Sequence, residues 1–156
     1  MDHNSRTGAG KSHPKAQDVS VTEAQRQAMF DAALQAMRRA HAPYSRFPVG
    51  AAVLDLQGRI HAGCNVENAA YPQGACAETG ALSAMVLAGG TQVQAVLVMG
   101  AGAGLVTPCG GCRQRIREFA EPQVPIMIAD PDHVRATFTL EQLLPHSFGP
   151  DHLSTS

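Results

Sequence analysis

Four residues of this chain have the types and spacing of a hydrolytic metal centre: Cys76, Glu78, Cys109 and Cys112. Cys109 and Cys112 stand three apart at a helix start, so both sulfurs can turn toward one ion. Cys76, opening another helical stretch, completes three legs of a tetrahedron, the geometry zinc prefers. A fourth corner left open holds water, whose pKa zinc brings to about 7. Both helix N-termini aim positive dipole ends at the sulfurs, which favours thiolates. Glu78 follows Cys76 by two positions. It is poorly placed to bind the same ion, yet on the first helical turn it can take a proton from the water and hand it on. A purely structural zinc ribbon has no use for that carboxylate.

Three blander readings stand beside this one. Cys64 as a fourth ligand would close the site, although structural sites draw their ligands as close pairs, and Cys64 and Cys76 are far apart. Cys109-Gly110-Gly111-Cys112 has the form of a thiol–disulfide pair, which leaves Cys76 and Glu78 unexplained. Glu78 alone could be a carboxylate complementing a helix dipole. The seven histidines show no ligand spacing and no His-x-Glu occurs, so none is a candidate ligand.

Such a site needs two helix starts that face each other at one end of a sheet. Cys76–Ala88 reads as one helix, with Ala77, Gly80, Ala81, Ser83 and Ala84 small on several sides, so close neighbours are expected. Gly80 costs about 1 kcal/mol against alanine there, which tight packing must offset. The second helix runs from near Cys109 to Phe119. An earlier helix spans Thr22 to about Ala40, with Phe30, Ala33, Leu34, Met37 and Ala40 on its apolar side and Thr22 as its cap. Strand-like runs cover Phe47–Asp55, Arg59–Val66, Gln94–Met99, Val124–Ala129 and residues 135–139, the first two joined as a hairpin around Gln57-Gly58. Thr139 caps a brief helix through Leu144. This order predicts an α/β fold with three layers, α/β/α, around a mixed five-stranded sheet. Gly100-Ala101-Gly102-Ala103-Gly104 after a strand lacks the spacing of a dinucleotide-binding turn and reads as a plain loop.

The chain has 156 residues, 44% apolar and 16% charged, which suits one domain. Residues 1–20 read as a polar N-terminal tail, 21–150 as the domain and 151–156 as a C-terminal tail. A net charge near −1 gives no electropositive footprint for a nucleic-acid partner and favours a small uncharged substrate. No apolar run is long enough for a membrane span, and the first residues lack a secretory core, so the expected location is cytoplasmic.

The block Ala42-Pro43-Tyr44-Ser45-Arg46-Phe47-Pro48-Val49-Gly50-Ala51 resembles the opening of the core in the small homotetrameric cytidine deaminases. So do Gly63-Cys64-Asn65-Val66-Glu67-Asn68-Ala69-Ala70-Tyr71, Cys76-Ala77-Glu78 and Pro108-Cys109-Gly110-Gly111-Cys112-Arg113-Gln114. The blocks keep the family's order and spacing over roughly residues 40–148.

The resemblance implies hydrolytic deamination of cytidine and 2′-deoxycytidine, a step of pyrimidine salvage, by zinc-activated water. One zinc ion per subunit would be bound by Cys76, Cys109 and Cys112, with Glu78 shuttling protons from water to N3 and then to the leaving amine. Asn65 and Glu67 would hold the ribose 3′-hydroxyl, Phe47 would stack near the pyrimidine, and backbone groups at Ala77 would read the base edge. Phe148 matches an aromatic that reaches a neighbouring subunit's site, which implies a homotetramer with shared active sites. Its partners would be the nucleoside and further copies of itself, with no nucleic acid and no membrane.

One position departs from the family: Thr79 stands where most members carry arginine beside the thiolates. That predicts a differently tuned site in which Arg113 offsets some of the negative charge. It also keeps blasticidin S, whose deaminases share the ligand layout, as an alternative substrate. A scaffold subunit that has lost catalysis is the non-enzymatic alternative, and intact Glu78 argues against it.

Overall fold

The computed structural model describes residues 20–153; segments 1–19 and 154–156, which make up most of the two expected tails, lie outside the described residues. Helix α1 (Glu23–Arg38) begins where Thr22 and Gln25 form a reciprocal capping box, 3.1 and 2.9 Å. Its buried stripe is Met29, Ala33 and Met37, spaced by four. Phe30 and Leu34, also expected on the apolar side, flank that stripe half-buried.

The strands β1 (Val49–Asp55), β2 (Ile60–Cys64), β3 (Val93–Gly100), β4 (Pro125–Ala129) and β5 (Val134–Thr139) form one sheet in the order β2-β1-β3-β4-β5. Only β3 and β4 run parallel, so the sheet is mixed as expected. β1 starts two residues later than its pattern implied. Pro48 has no N–H to give a ladder, and the Asn65 side chain takes the Phe47 carbonyl and the Val49 N–H for itself.

The central strands are buried on both faces, with side chains alternating between two cores. Ala52, Leu54, Leu97, Met99 and Met127 face α1. Ala51, Val53, Val96, Val98, Ile126 and Ile128 face α2 (Ala77–Leu87), α3 (Gly110–Phe119) and the short α4 (Leu140–Leu143). These are the three expected layers. The start of β1, the end of β2 and the end of β3 meet at one end of the sheet, since Gly50 pairs with Cys64 and Val49 with Gly100. The ends of parallel strands are where α/β sheets bind ligands.

Gly63 sets the distance between α2 and that end. A Cβ at Gly63 would lie 2.3 Å from the Ala81 nitrogen and 2.4 Å from the Ala77 oxygen, both backbone atoms. Opposite it sits Gly80, whose own Cβ position is 3.4 Å from the Gly63 Cα. The small residues noted in this helix therefore allow helix and strand backbones to touch. Gly63→Ala is expected to cost at least about 2 kcal/mol in urea unfolding, because no side-chain rotation relieves a backbone clash. A loss below about 0.5 kcal/mol would mean that α2 floats free of the strand.

At the far end of β1 the fully buried Asp55 accepts from the Gln57 and Arg59 N–H groups, both 2.9 Å, and pairs with Arg59 Nε and His61 Nε2, both 2.8 Å. Burial pushes its carboxyl up, but the bonds from His61 and Arg59 outweigh it and hold it below the usual carboxylate range. A folded value below the unfolded one stabilises the protein above about pH 4, and that stability is lost as pH falls through the folded value. Unfolding free energy is therefore expected to drop as pH falls from about 5 through the folded value, and less steeply in Asp55→Asn.

Pro150–His152, at the start of the expected C-terminal tail, form a 3₁₀ turn in which Asp151 pairs with the buried Arg117 of α3 and the His152 ring stacks on Phe148. The carboxylate compensates the buried guanidinium. Among the described residues no helix is long and apolar enough to cross a membrane.

Candidate active site

Cys76 is the N-cap of α2 and Cys109 the N-cap of α3, so the two helix starts face each other as the sequence required. Cys112 follows one turn into α3 and is buried. The three sulfurs lie within 4.8 Å of one another, and those of Cys76 and Cys109 are 3.9 Å apart. Zn–S bonds of about 2.3 Å at tetrahedral angles put sulfurs about 3.8 Å apart, so the donor set fits that ion. All four cysteines are free thiols, and Cys64 is not part of the sulfur cluster. The closed four-cysteine site finds no support in this geometry, and the two cysteines of α3 share their surroundings with a third sulfur instead of forming an isolated redox pair.

Glu78, 4% exposed, places Oε2 3.4 Å from Cys112 Sγ, which donates to it. The carboxylate therefore sits against the sulfur cluster from the first turn of α2.

Electrostatics in the cluster differ from thiol to thiol. The helix starts were expected to lower every thiol, and only Cys109 behaves so, pulled down first by the backbone N–H of Cys112. Cys112 is pushed up by burial and then by the Glu78 carboxylate and Cys76. Cys76 is raised by burial and by Cys109, against a lowering hydrogen bond from Cys112. Three thiolates beside a carboxylate repel one another, and a bound divalent cation is what makes their joint ionisation favourable.

The remaining expected residues divide into two groups. Val66 bridges Ala75 through two backbone bonds of 2.9 Å, which brings Asn65 and Glu67 to the residue before Cys76. Asn65 joins Val49 N–H at 2.8 Å and the Phe47 carbonyl at 2.9 Å, while Glu67 accepts from the N–H groups of Tyr44 and Ser45 at 3.2 Å. Both side chains thus shape the 44–49 loop, and each keeps hydrogen-bonding capacity to spare. Phe47 is 39% exposed above that loop, and Ala77 is buried at the first position of α2. Phe148 stands apart: 57% exposed, it stacks on His152 with ring centroids 4.9 Å apart, and Gln114 of α3 holds its carbonyl at 2.9 Å.

Arg113 gives its hydrogen bonds to neutral oxygens. Its guanidinium donates to the carbonyls of Pro108 and Leu143 and to the Thr107 hydroxyl, at 2.8, 2.6 and 3.2 Å. The planar fork thereby fixes the backbone that delivers Cys109. Thr79, half-buried, faces an apolar hollow with Leu82, Val86, Arg115 and Phe119.

Residues 23–128 match the family model described as "Cytidine and deoxycytidylate deaminase zinc-binding region". The chain belongs to this deaminase family. A cytidine deaminase of Sporosarcina psychrophila is 40% identical over 120 residues, covering 77% of this chain and 88% of that protein. One from Mycobacterium tuberculosis is 40% identical over 121 residues, 78% of this chain and 87% of its own. The crystal structure of cytidine deaminase from Burkholderia pseudomallei superposes with a TM-score of 0.73 at 38% identity, over 78% of this chain and 98% of that one. The mixed sheet and its flanking helices are therefore the deaminase fold, and the three-sulfur cluster lies within the family's zinc-binding region.

Sequence reasoning missed two guanidinium anchors, of which Arg135 lies at this end of the sheet. Arg117 donates to Ser147 Oγ and pairs with Asp151, and Arg135 binds three carbonyls of the loop after β3. Arg117 sits where a helix pattern reads as surface, and Arg135 on an edge strand; neither carries a local signal of its partner.

Proposed function

We propose that the chain hydrolyses the 4-amino group of cytidine and 2′-deoxycytidine, giving the uridine nucleoside and ammonia. The observation that carries this is the buried Glu78 carboxylate against a three-sulfur cluster, in a chain of the deaminase family. Cys76, Cys109 and Cys112 would hold zinc, which when bound supplies the Lewis acidity that makes water nucleophilic near neutral pH. Glu78 takes a proton from the attacking water and delivers it to N3, so that C4 becomes electrophilic as oxygen adds. The second proton passes through the same carboxylate to the exocyclic nitrogen, which leaves as ammonia while the C4 carbonyl forms. One group can serve both transfers because it lies against the sulfur cluster from within, and its burial keeps bulk solvent from competing.

Asn65 and Glu67 hold the sugar through the donor and acceptor capacity that their loop bonds leave free, and Phe47 offers its exposed face to the base. Backbone groups at Ala77 read the base edge. A neutral nucleoside agrees with the net charge of about −1. The active unit is a homotetramer in the cytoplasm, acting in pyrimidine salvage. Phe148 is fixed by Gln114 and turned outward, where it can enter a neighbouring site, and Val86 and Leu87 expose 51% and 90% of their surface on α2.

A panel of cytidine, 2′-deoxycytidine and blasticidin S, followed by ultraviolet absorbance and ammonia release, tests the assignment. The two nucleosides should turn over with kcat/KM at least about a hundredfold above blasticidin S, since the latter lacks the ribose that Asn65 and Glu67 fit. Thr79 is the reason blasticidin S belongs in the panel, and turnover of that compound alone would reverse the assignment.

A further inference from the structure

We propose that Arg135 is a positioning residue for the nucleoside site, holding the glycine loop 101–105 against Phe47 and so setting the width of the cleft on the base side. The inference rests on the reading that Phe47 stacks on the pyrimidine.

The loop has little of its own to hold it. Three glycines among residues 100–104 give it a large conformational entropy, and residues 101–105 are exposed. Yet one guanidinium binds three successive carbonyls: Arg135 NH1 donates to Gly102 at 3.0 Å and Gly104 at 3.1 Å, and NH2 to Ala103 at 2.9 Å. Lysine could not span them; a planar fork can. Arg135 is itself steadied by Asp130, whose Oδ2 lies 3.6 Å from Nε. The other Asp130 oxygen accepts from the N–H groups of Asp132 and His133, locking the turn between β4 and β5.

Beyond the loop the chain is fixed again. Val106 packs on Gly100, and Arg113 ties Thr107 and Pro108 just before Cys109. Residues 101–105 are thus a short span anchored at its middle by Arg135 and at its far end next to a sulfur ligand.

What the span touches gives it a role. A Cβ on Gly102 would lie 3.7 Å from Cε2 of Phe47 and 4.0 Å from Cζ, so the loop backbone runs along the edge of that ring. Asn65 holds the Phe47 carbonyl and so fixes the backbone that carries the ring. With that backbone held, the loop along the ring edge limits how far the ring can swing, and release of the loop removes that limit. Because the exposed loop buries almost no apolar surface, its three hydrogen bonds contribute to placement more than to the core.

A double-mutant cycle on the zinc-loaded, full-length protein tests this, using wild type, Arg135→Ala, Phe47→Ala and the double variant. Arg135→Ala is expected to raise KM for cytidine about fivefold with kcat within about twofold, and to speed amide hydrogen exchange at 101–105. Added to Phe47→Ala, it should change KM by less than about twofold, because the ring it positions is gone. Arg135→Lys should fall between wild type and Arg135→Ala, and it carries the comparison if the alanine variant does not fold. An unchanged KM in Arg135→Ala, or the same fivefold rise in both backgrounds, overturns the proposal while leaving the deaminase assignment intact. If Phe47→Ala has no effect on KM while Arg135→Ala still loosens the loop, the base-stacking reading fails and the proposal falls with it.

Discussion

Replacing Glu78 with glutamine is expected to leave zinc content near one ion per chain while slowing cytidine turnover by at least about a thousandfold. The amide has the carboxylate's shape and can occupy the same buried position, but it cannot accept a proton and release it again. Positioned proton transfer contributes about 10²–10⁴ in rate, and in the proposed mechanism both transfers pass through this one group. The loss should therefore fall on kcat, with KM for cytidine changed by no more than a few-fold. Glu78→Asp should recover little, since shortening the side chain withdraws the oxygen now 3.4 Å from Cys112 Sγ. A Glu78→Gln protein that keeps a tenth of wild-type kcat would mean that another group carries the protons.

Removal of a sulfur should act on the metal first and on catalysis as a consequence. Cys112→Ala takes away the buried member of the cluster and is expected to reduce zinc from about one per chain to below about one in ten after dialysis, with cytidine turnover lost in parallel. A ligand that binds only the folded state also stabilises it. A strong chelator should therefore lower the melting temperature of the wild type and leave that of Cys112→Ala unchanged. Cys64→Ala is the control. Cys64 lies outside the sulfur cluster, so the variant should retain zinc and turnover within about twofold. Loss of zinc in that variant would place a fourth sulfur on the ion.

The sequence carried the chemistry of the site further than its architecture. Cys76, Glu78, Cys109 and Cys112 could be grouped because ligand spacing and helix starts are local features, and the structure gathers all four. The five strands and four helices of the described residues were legible too, because each has an apolar run or a cap of its own, such as Thr22 with Gln25 and Thr139 with Gln142. What escaped was whatever depends on a distant partner. Nothing near Phe47 announces that Asn65, eighteen residues on, takes the ladder position and delays β1. Nor does anything near Arg113 announce that its acceptors include Leu143, thirty residues away. Likewise nothing near Asp151 announces that the buried Arg117 is its partner.

The glycines show the same division. Gly80 was expected to mark close packing, and it does, but the tighter constraint is its partner Gly63, which a strand pattern treats as unremarked. Contact between two backbones belongs to the pair, and only the fold reveals the second member.

X-ray absorption at the zinc edge of the purified protein tests the central claim most directly. Three sulfur neighbours at about 2.3 Å and one lighter oxygen or nitrogen neighbour are the expected result, the signature of a site with one corner left for water. Four sulfur neighbours would contradict it, because a closed site leaves Glu78 nothing to deprotonate.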